Sequence, residues 1–228
     1  MKRRRLLTTV LTVLLLPLTM AFADAKESIK QDTVKTEVEL TTKEMGAKEN
    51  ALGNTVADAI RTSAKSDVAL IASSFFTDIS PIAKGNVDMM EILKALDFKS
   101  DTIVIMKLTG NQIIKGLEHG LYLYPKTNSG FLHFSGMTVT IRGEMDKESR
   151  VISVKIDKED LDKEKTYKVA MPAPLANGTL AYFKIWKKTD IDKDTEKTLE
   201  SVVTEYLKNN KTIKSQEKGE ERLVVKEK

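Results

Sequence analysis

TIVIMKLTGNQIIKGLEHGL, residues 102–121, contains the change from a strand pattern to a helix pattern that decides the fold. Its first part, Thr102 to Leu108, is rich in β-branched residues, which favours a β-strand. The next residues, Thr109 to Gln112, are suited to capping a helix. That helix is predicted from apolar residues at helical spacing, which are Ile113, Ile114, Leu117 and Leu121. A strand followed directly by a helix is therefore predicted here.

The residues before this stretch repeat the alternation of helix and strand. An amphipathic helix is predicted from about Glu49, because apolar residues recur at helical spacing at Leu52, Val56, Ala57, Ile60 and Ala64. Residues 67–72 predict a short buried strand. Asp88 and Glu91 have the spacing of a capping box, which predicts the start of a second helix.

Beyond Tyr124 the pattern changes to strands. They are predicted at 130–133, 137–141, 151–156 and 167–171. A last helix is predicted from about Asp194 to Leu207, and residues 223–225 are a candidate edge strand. Helices and strands in this order predict an α+β domain built from layers of helix and sheet.

The N-terminus has the three-part layout of a secretory signal peptide, which we assign to residues 1–23. Basic residues 2–5 precede an apolar run at 6–18, and small residues follow at Ala21 and Ala23. We therefore expect cleavage near Ala23, a secreted or periplasmic protein, and no stable membrane anchor after cleavage. An uncleaved anchor is the alternative, which the threonines and the proline within the run disfavour.

The rest of the chain is expected to divide into three parts. Residues 24–45 are rich in charged residues and threonine and lack a strong apolar period, so we predict a flexible linker. Residues 46–209 are predicted to form the folded domain. Residues 210–228 are predicted to form a charged C-terminal tail.

The composition excludes several classes of function. The formal net charge of +4 includes the four basic residues of the signal peptide, so the mature chain is close to neutral and nucleic acid is not an expected partner. The chain has no cysteine, which rules out disulfides, cysteine zinc sites and a thiol nucleophile. It also lacks the GxSxG, HExxH and glycine-rich phosphate-loop motifs.

Several segments, in order, resemble the C-terminal domain of the 5′-nucleotidase family. LGNTVADAIR at 52–61 looks like the opening helix motif of that domain, and the strand-to-helix LTG turn follows at 108–110. SGFLHFSGM at 129–137 is similar to the GFLQVSG segment of the family. The late strand YKVAM at 167–171 and the glycine loop LANG at 175–178 complete the resemblance.

The resemblance implies a binding domain. In that family an N-terminal metallophosphatase domain binds two metal ions and hydrolyses the substrate, and the C-terminal domain holds the nucleoside part. A dimetal site needs a cluster of His, Asp and Asn ligands, whereas this sequence has only His119 and His133, outside any ligand grouping. We therefore expect a domain that stands alone, with no catalytic residue, no metal, no other cofactor and no hydrolysis by the chain itself.

The resemblance also indicates where a nucleoside-type or other flat ligand would bind. The candidate binding residues are Phe98, Phe76, Thr77, Asn177, Gly178 and Tyr182. Phe98 lies where the family has a ring that stacks on the base, and Phe76 and Thr77 lie in its NGGIR turn, without the arginine. Pro174 and Leu180 replace a second stacking ring and an acidic ligand of the ribose, so we expect a nucleotide site weakened by these losses.

Three functions remain open on this basis. The first is an exported binding module for a nucleoside, nucleotide or related ligand. The second is the substrate-recognition subunit of a nucleotide-hydrolysing phosphoesterase whose catalytic domain is a separate metallophosphatase chain. The third is a structural or protein-interaction domain. For Phe98 itself, the alternative is a buried aromatic residue after a helix. Six other aromatic residues either line the groove or fill the core: Phe75, Phe76, Phe131, Tyr182, Phe183 and Trp186.

Overall fold

The computed structural model describes residues 32–144, 149–214 and 221–227. The predicted signal peptide lies outside these residues, as do parts of the predicted linker and tail. The α-helices of the described residues are α1 (Ala51–Ala64), α2 (Met89–Leu93), α3 (Gly110–Gly120), α4 (Ala173–Ala176) and α5 (Leu199–Asn210). Their strands are β1 (Thr33–Thr36), β2 (Val68–Ala72), β3 (Gly85–Asp88), β4 (Thr102–Thr109), β5 (Leu132–Ser135), β6 (Met137–Arg142), β7 (Val151–Ile156), β8 (Glu159–Asp160), β9 (Thr166–Pro172), β10 (Ile191–Thr198), β11 (Thr212–Ile213) and β12 (Leu223–Lys226).

A five-stranded sheet in the order β10-β4-β9-β2-β5 forms the centre of the fold. β2 and β9 are parallel, and the other neighbouring strands in this sheet are antiparallel. Every residue of β2 is buried, as its continuous apolar run predicts. Two smaller sheets, β12-β6-β7-β8 and β11-β1-β3, complete the domain. The predicted α+β class is confirmed.

The first and third helices begin where the sequence predicts, because their caps are local. The Asn50 side chain accepts a hydrogen bond from the backbone N–H of Leu52 at 2.9 Å, which starts α1. Thr109 and Gln112 form the two reciprocal bonds of a capping box at the start of α3. The apolar stripe of α1 is buried and packs against β2, β5 and α5. No helix among the described residues is long and apolar enough to cross a membrane.

The last helix starts later than the sequence predicts. Asp194 lies in β10, which pairs with β4, and α5 begins only at Leu199. The Thr198 hydroxyl caps α5 by accepting a hydrogen bond from the backbone N–H of Ser201 at 3.2 Å. Most residues of β10 are exposed and polar, so this strand has no apolar alternation that distinguishes it from the first turn of a helix.

Part of the predicted linker is an ordered strand. β1 pairs with β3 on one side and with β11 on the other. Its inward residues Val34 and Thr36 are buried, and Leu40 just after it is also fully buried. The prediction of a linker up to residue 45 is therefore wrong for β1 and the residues after it, because alternate residues of this segment pack inside the domain.

Part of the predicted tail also belongs to the domain. β12 pairs in parallel with β6. The Arg222 guanidinium forms an ion pair with Asp58 (Nη2 to Oδ2, 2.8 Å), and Glu49 accepts hydrogen bonds from the backbone N–H groups of Arg222 and Leu223 at 2.9 Å each. These bonds attach the start of β12 to α1 and to Glu49, which comes just before the N-cap residue of α1. The pairing of β12 with β6 confirms the predicted edge strand at 223–225.

Candidate functional site

Four loops meet at one edge of the central sheet because of the directions of its strands. β2 and β9 are parallel and end at this edge, at Ala72 and Pro172. β4 and β5 begin there, since Ile103 lies opposite Pro172 and Leu132 lies opposite Ala72. We name this region the loop edge and define it as residues 73–78, 97–101, 127–131 and 173–178. It contains all of the predicted binding residues except Tyr182.

Phe98 presents its ring to solvent at the loop edge. Its side chain is 54% exposed, and its backbone is in the left-handed region with φ of 49°. Such a conformation is unfavourable for a bulky residue. The turn is held by hydrogen bonds from the Phe98 N–H to Asp97 Oδ1 (2.9 Å) and from the Asp101 N–H to the Phe98 carbonyl (3.0 Å). The alternative that Phe98 is a buried aromatic residue is therefore wrong.

The loop after β2 is tied to the segment that carries Phe98. The Asp97 N–H donates to the Phe75 carbonyl at 2.9 Å, and the Thr77 N–H donates to the Ala95 carbonyl at 3.0 Å. The rings of Phe75 and Phe98 meet edge to face, with centroids 5.8 Å apart. Phe75 is buried, so it forms a fixed support below the exposed ring of Phe98. The loop that carries Thr77 is thus joined to the segment that carries Phe98.

Phe76, in the same loop, is partly buried and lines a cleft of ≈ 310 Å³. The cleft is lined by residues from segments 42–46, 73–78 and 127–129. Its floor is fixed by hydrogen bonds from Ser73 Oγ to the Asn128 carbonyl (2.7 Å) and from the Asn128 N–H to the Gly46 carbonyl (2.9 Å). We name it the hydroxyl cleft, because most of its polar groups come from serine and threonine.

The loop after β9 supplies Asn177 and Gly178. Asn177 is exposed. Gly178 has φ of 91°, and a Cβ at this position would lie 2.6 Å from Cβ of Phe183. Both facts require glycine here. Leu180 also adopts a left-handed conformation, with φ of 57°, so this loop is shaped by its backbone as much as by its side chains.

Tyr182 is a core residue, which corrects its prediction as a ligand contact. It is fully buried, its hydroxyl donates to the Gly130 carbonyl at 2.7 Å, and burial raises its pKa. Its ring stacks on Trp186 with centroids 4.6 Å apart and an angle of 12° between the planes. Trp186 is also fully buried, and its Nε1 donates to the Leu175 carbonyl at 3.0 Å. Tyr182 therefore has no surface on which a ligand could stack.

The aromatic residues thus divide between core and surface. Phe75, Phe131, Tyr182 and Trp186 are buried, whereas Phe98 and Phe183 are exposed. The sequence left open whether these rings line a groove or fill the core. Most of them pack in the core, and they do not together line an open groove.

Both histidines have structural contacts. His133 is fully buried, Nε2 donates to the Met45 carbonyl at 2.8 Å, and burial lowers its pKa to about 4. His119 Nε2 donates to the Leu180 carbonyl at 2.7 Å, and its ring lies edge to face against Tyr182. In the described ranges, no group of three or more His, Asp or Glu side chains is placed to hold a metal ion.

The polar residues that line the hydroxyl cleft were not identified from the sequence. Ser74, Asp78 and Ser129 line the hydroxyl cleft but were not among the predicted residues. Ser73-Ser74 and Asp78 flank Phe75-Phe76-Thr77 in the sequence, directly after a buried strand. Polar residues directly after a buried strand were a signal from which Ser74 and Asp78 could have been predicted. Ser129 is distant in sequence, and only the fold brings it to the cleft.

The family model of the 5′-nucleotidase C-terminal domain matches residues 29–187. Among curated relatives, the trifunctional nucleotide phosphoesterase protein YfkN of Bacillus subtilis is 33% identical over 130 residues, which cover 54% of this chain and 9% of that protein. The 5′-nucleotidase of Rattus norvegicus is 27% identical over 137 residues, which cover 57% of this chain and 23% of that protein.

The fold is also similar to solved structures. The 5′-nucleotidase precursor from Thermus thermophilus superposes with a TM-score of 0.73 and 26% identity, over 84% of this chain and 39% of that chain. This chain therefore spans less than half the length of each of these relatives.

Proposed function

Because this chain belongs to the 5′-nucleotidase C-terminal domain family, we propose that it is an exported module that binds a nucleoside or a related flat small molecule and has no metallophosphatase site of its own. The observation that carries this proposal is the exposed ring of Phe98 at the loop edge. The Thr77 loop and the Gly178 loop leave the sheet at the same edge, and with Phe98 they form the binding surface.

Two physical features support a ligand at Phe98. Phe98 is 54% exposed, so burial of its ring contributes little to the stability of the fold. Its left-handed backbone conformation costs free energy. Its position is nevertheless fixed by Phe75 and by the hydrogen bonds of the turn. Stacking of a flat base on such a ring contributes roughly 1–3 kcal/mol to binding.

Replacement of Phe98 by alanine tests the proposal. We expect Phe98→Ala to weaken binding of adenosine by roughly tenfold to a hundredfold, because the stacking contact is lost. Isothermal titration calorimetry with the purified protein measures the change. Phe98→Tyr keeps a stacking face and should bind within about threefold of the unsubstituted protein.

The matched control is Ile152→Ala, which removes an exposed apolar side chain from β7, outside the loop edge. It should leave adenosine affinity unchanged. If Phe98→Ala and Ile152→Ala bind adenosine equally well, Phe98 is not the binding surface. Failure of the unsubstituted protein to bind any nucleoside or nucleotide would contradict the proposed function.

The lengths of the relatives favour a second candidate function. The T. thermophilus 5′-nucleotidase contains more than this domain, since the matched region is 39% of it. In this second function the chain is the recognition part of a phosphoesterase and acts with a separate metallophosphatase chain. AMP hydrolysis that requires both chains would favour it, whereas chelator-sensitive hydrolysis by this chain alone would contradict both functions.

Export is the part of the proposal that rests on the N-terminal sequence. A basic segment, an apolar run and small residues ending at Ala23 form the pattern of a cleaved signal. The mature protein should then begin near Asp24, which N-terminal sequencing of protein recovered outside the cytoplasm would establish. Recovery of the full-length chain in the cytoplasm would contradict export.

A further inference from the structure

A second cleft, with a volume of ≈ 380 Å³, lies between α1 and α5, which pack against each other. We name it the helix cleft. The residues that α1 contributes to it come from the last turns of that helix and from its C-cap, Lys65, just before β2 begins. β2 ends at the loop edge, so the helix cleft lies toward the other end of that strand and is a separate site. Its volume is in the range of small-molecule sites, roughly 300–1,000 Å³.

The helix cleft has an apolar floor and one aromatic wall. Ala59 of α1 and Val202 of α5 are buried and form the floor. Tyr206 of α5 is partly buried and packs against the core, so its ring is held in place while part of it remains open to the cleft. This surface suits the carbon skeleton of a ligand, to which the aromatic ring offers a flat face.

Several polar side chains of the helix cleft keep their hydrogen-bonding capacity for a ligand. Thr62 and Ser63 contribute hydroxyls, and Asn209 contributes an amide. Within the described ranges, none of these three side chains forms a hydrogen bond. Hydroxyl and amide groups can both donate and accept, so they match a ligand that has several hydroxyl groups.

The charges of the helix cleft leave one ammonium group for a ligand. Lys197 and Glu205 neutralise each other, since Lys197 Nζ lies 2.8 Å from Glu205 Oε2. Lys65 forms no ion pair with any residue that the structure describes. Its backbone is fixed at the C-cap of α1, with φ of 50° and hydrogen bonds from its N–H to the carbonyls of Arg61 and Thr62. The cleft therefore presents a single unpaired positive charge beside neutral polar groups.

We propose that the helix cleft binds a uronic acid, which is a sugar with a carboxylate in place of its hydroxymethyl group. The carboxylate pairs with Lys65, the ring hydroxyls bond to Ser63 and Asn209, and the apolar face of the sugar ring packs on Tyr206. This site is separate from the loop edge, and it adds a second ligand class to the function proposed above.

Other classes of ligand fit these groups less well. A neutral sugar makes no use of the charge of Lys65, and a fatty acid leaves the hydroxyls and the amide without partners. A phosphate ester brings a negative charge of about 1.5 to 2, whereas the cleft offers one unpaired ammonium group and the carboxylate of Glu205 also lines it. A uronic acid has one negative charge and several hydroxyls, so it matches both features.

Calorimetric titrations with galacturonic acid and with galactose test the proposal. The two sugars differ only in whether the last carbon is a carboxylate or a hydroxymethyl group. We expect galacturonate to bind at least about tenfold more tightly than galactose at pH 7.5 and low salt, because of its charge-assisted hydrogen bond with Lys65. The difference should be smaller at high salt, since Lys65 is exposed and ions screen its charge.

Lys65→Gln removes the charge and keeps a hydrogen-bonding group. It should weaken galacturonate binding by about tenfold and leave galactose binding unchanged, so that the two sugars bind almost equally. The matched control is Lys115→Gln, which removes an exposed lysine from α3 and should leave both affinities unchanged. Both variants should unfold at the same urea concentration as the parent protein, because both side chains are exposed.

A free sugar acid and a polysaccharide are two sources of the same chemistry, and titration with a galacturonate trisaccharide separates them. Similar affinities for the monomer and the trisaccharide indicate a free sugar acid. Tighter binding of the trisaccharide, weakened by Lys65→Gln, indicates a unit within a polysaccharide. Either result supports a uronic acid site.

Three results would overturn the proposal: galactose binds as tightly as galacturonate, neither galacturonate nor its trisaccharide binds, or Lys65→Gln binds galacturonate as tightly as Lys115→Gln does. It is also overturned if Phe98→Ala weakens galacturonate binding, because the sugar acid would then occupy the loop edge. Failure of the protein to bind adenosine would contradict the function proposed above and leave the uronic acid site intact.

Discussion

Replacing Trp186 by alanine is expected to lower the free energy of unfolding by about 4 kcal/mol. Trp186 is fully buried, its ring stacks on Tyr182, and its Nε1 donates to the Leu175 carbonyl. The substitution leaves a large cavity and removes the partner of a buried carbonyl group. Urea unfolding followed by circular dichroism measures the loss, because the variant has no tryptophan left for fluorescence.

Phe183→Ala is the matched control, since Phe183 belongs to the same 3-10 segment as Tyr182 but is 62% exposed. It should change the free energy of unfolding by less than about 0.5 kcal/mol. Trp186→Phe keeps a ring but loses the hydrogen bond, so we expect an intermediate loss. If Trp186→Ala is as stable as the parent, the stacked pair is not part of the core. The alternative that these rings line an open groove would then regain support.

The burial of Trp186 depends on a residue far away in the sequence. Gly116 in α3 faces the indole ring, and a Cβ on Gly116 would lie 2.7 Å from its Cζ3 atom. The absence of a side chain on α3 therefore makes room for the ring. The sequence shows the glycine and the tryptophan but not that they meet, which is why it left two arrangements open for the aromatic residues.

The elements predicted correctly have their signals in neighbouring residues. α3 has its capping box at Thr109 and Gln112, and β2 has a continuous apolar run. β1 and β10 lack such signals. β1 has Val34 as its one apolar residue, so its sequence shows no apolar alternation. β10 is polar and irregular, with register shifts in its pairing with β4. Their conformation is set by the partner strand, which the local sequence does not reveal.

A position for the candidate site could be predicted only where the resemblance supplied one. Phe98 was located from a family motif, and the structure places it on the surface with a fixed backbone. The hydroxyl cleft combines segments 42–46, 73–78 and 127–129, which are distant in sequence. Part of the first segment was predicted as linker, so its contribution to a cleft could not be foreseen. The site therefore required the fold as well as the motif.

Acidification is expected to destabilise the protein through His133. Burial, with a smaller contribution from Arg222, lowers the pKa of His133 from 6.5 to about 4, although its hydrogen bond to the Met45 carbonyl acts in the opposite direction. The ring lies against Gly53, where a Cβ would be 2.4 Å from His133 Nδ1. Such close packing excludes water, so a charge on the ring would have no solvation.

The sign of the effect follows from which state binds the proton. Well above pH 6.5 the imidazole is neutral in both the folded and the unfolded state, so His133 does not lower the free energy of unfolding there. Between pH 6.5 and about 4 the unfolded chain binds a proton that the folded protein does not, so stability falls as the pH falls. From pH 7 to pH 4.5 the loss is on the order of 2 kcal/mol.

Comparison with His133→Gln isolates this contribution from those of the carboxylates. Glutamine stands at this position in the GFLQVSG segment that the chain resembles, and it can donate to the Met45 carbonyl but does not titrate. Urea unfolding, followed by Trp186 fluorescence at several values from pH 7.5 to pH 4, gives both stability profiles. The parent should lose on the order of 2 kcal/mol more than His133→Gln between pH 7 and pH 4.5. Parallel profiles would show that His133 has the same pKa in the folded and the unfolded state, as expected for a ring that is accessible to water. The ring would then not be the sealed contact that joins the Met45 segment, one wall of the hydroxyl cleft, to the central sheet.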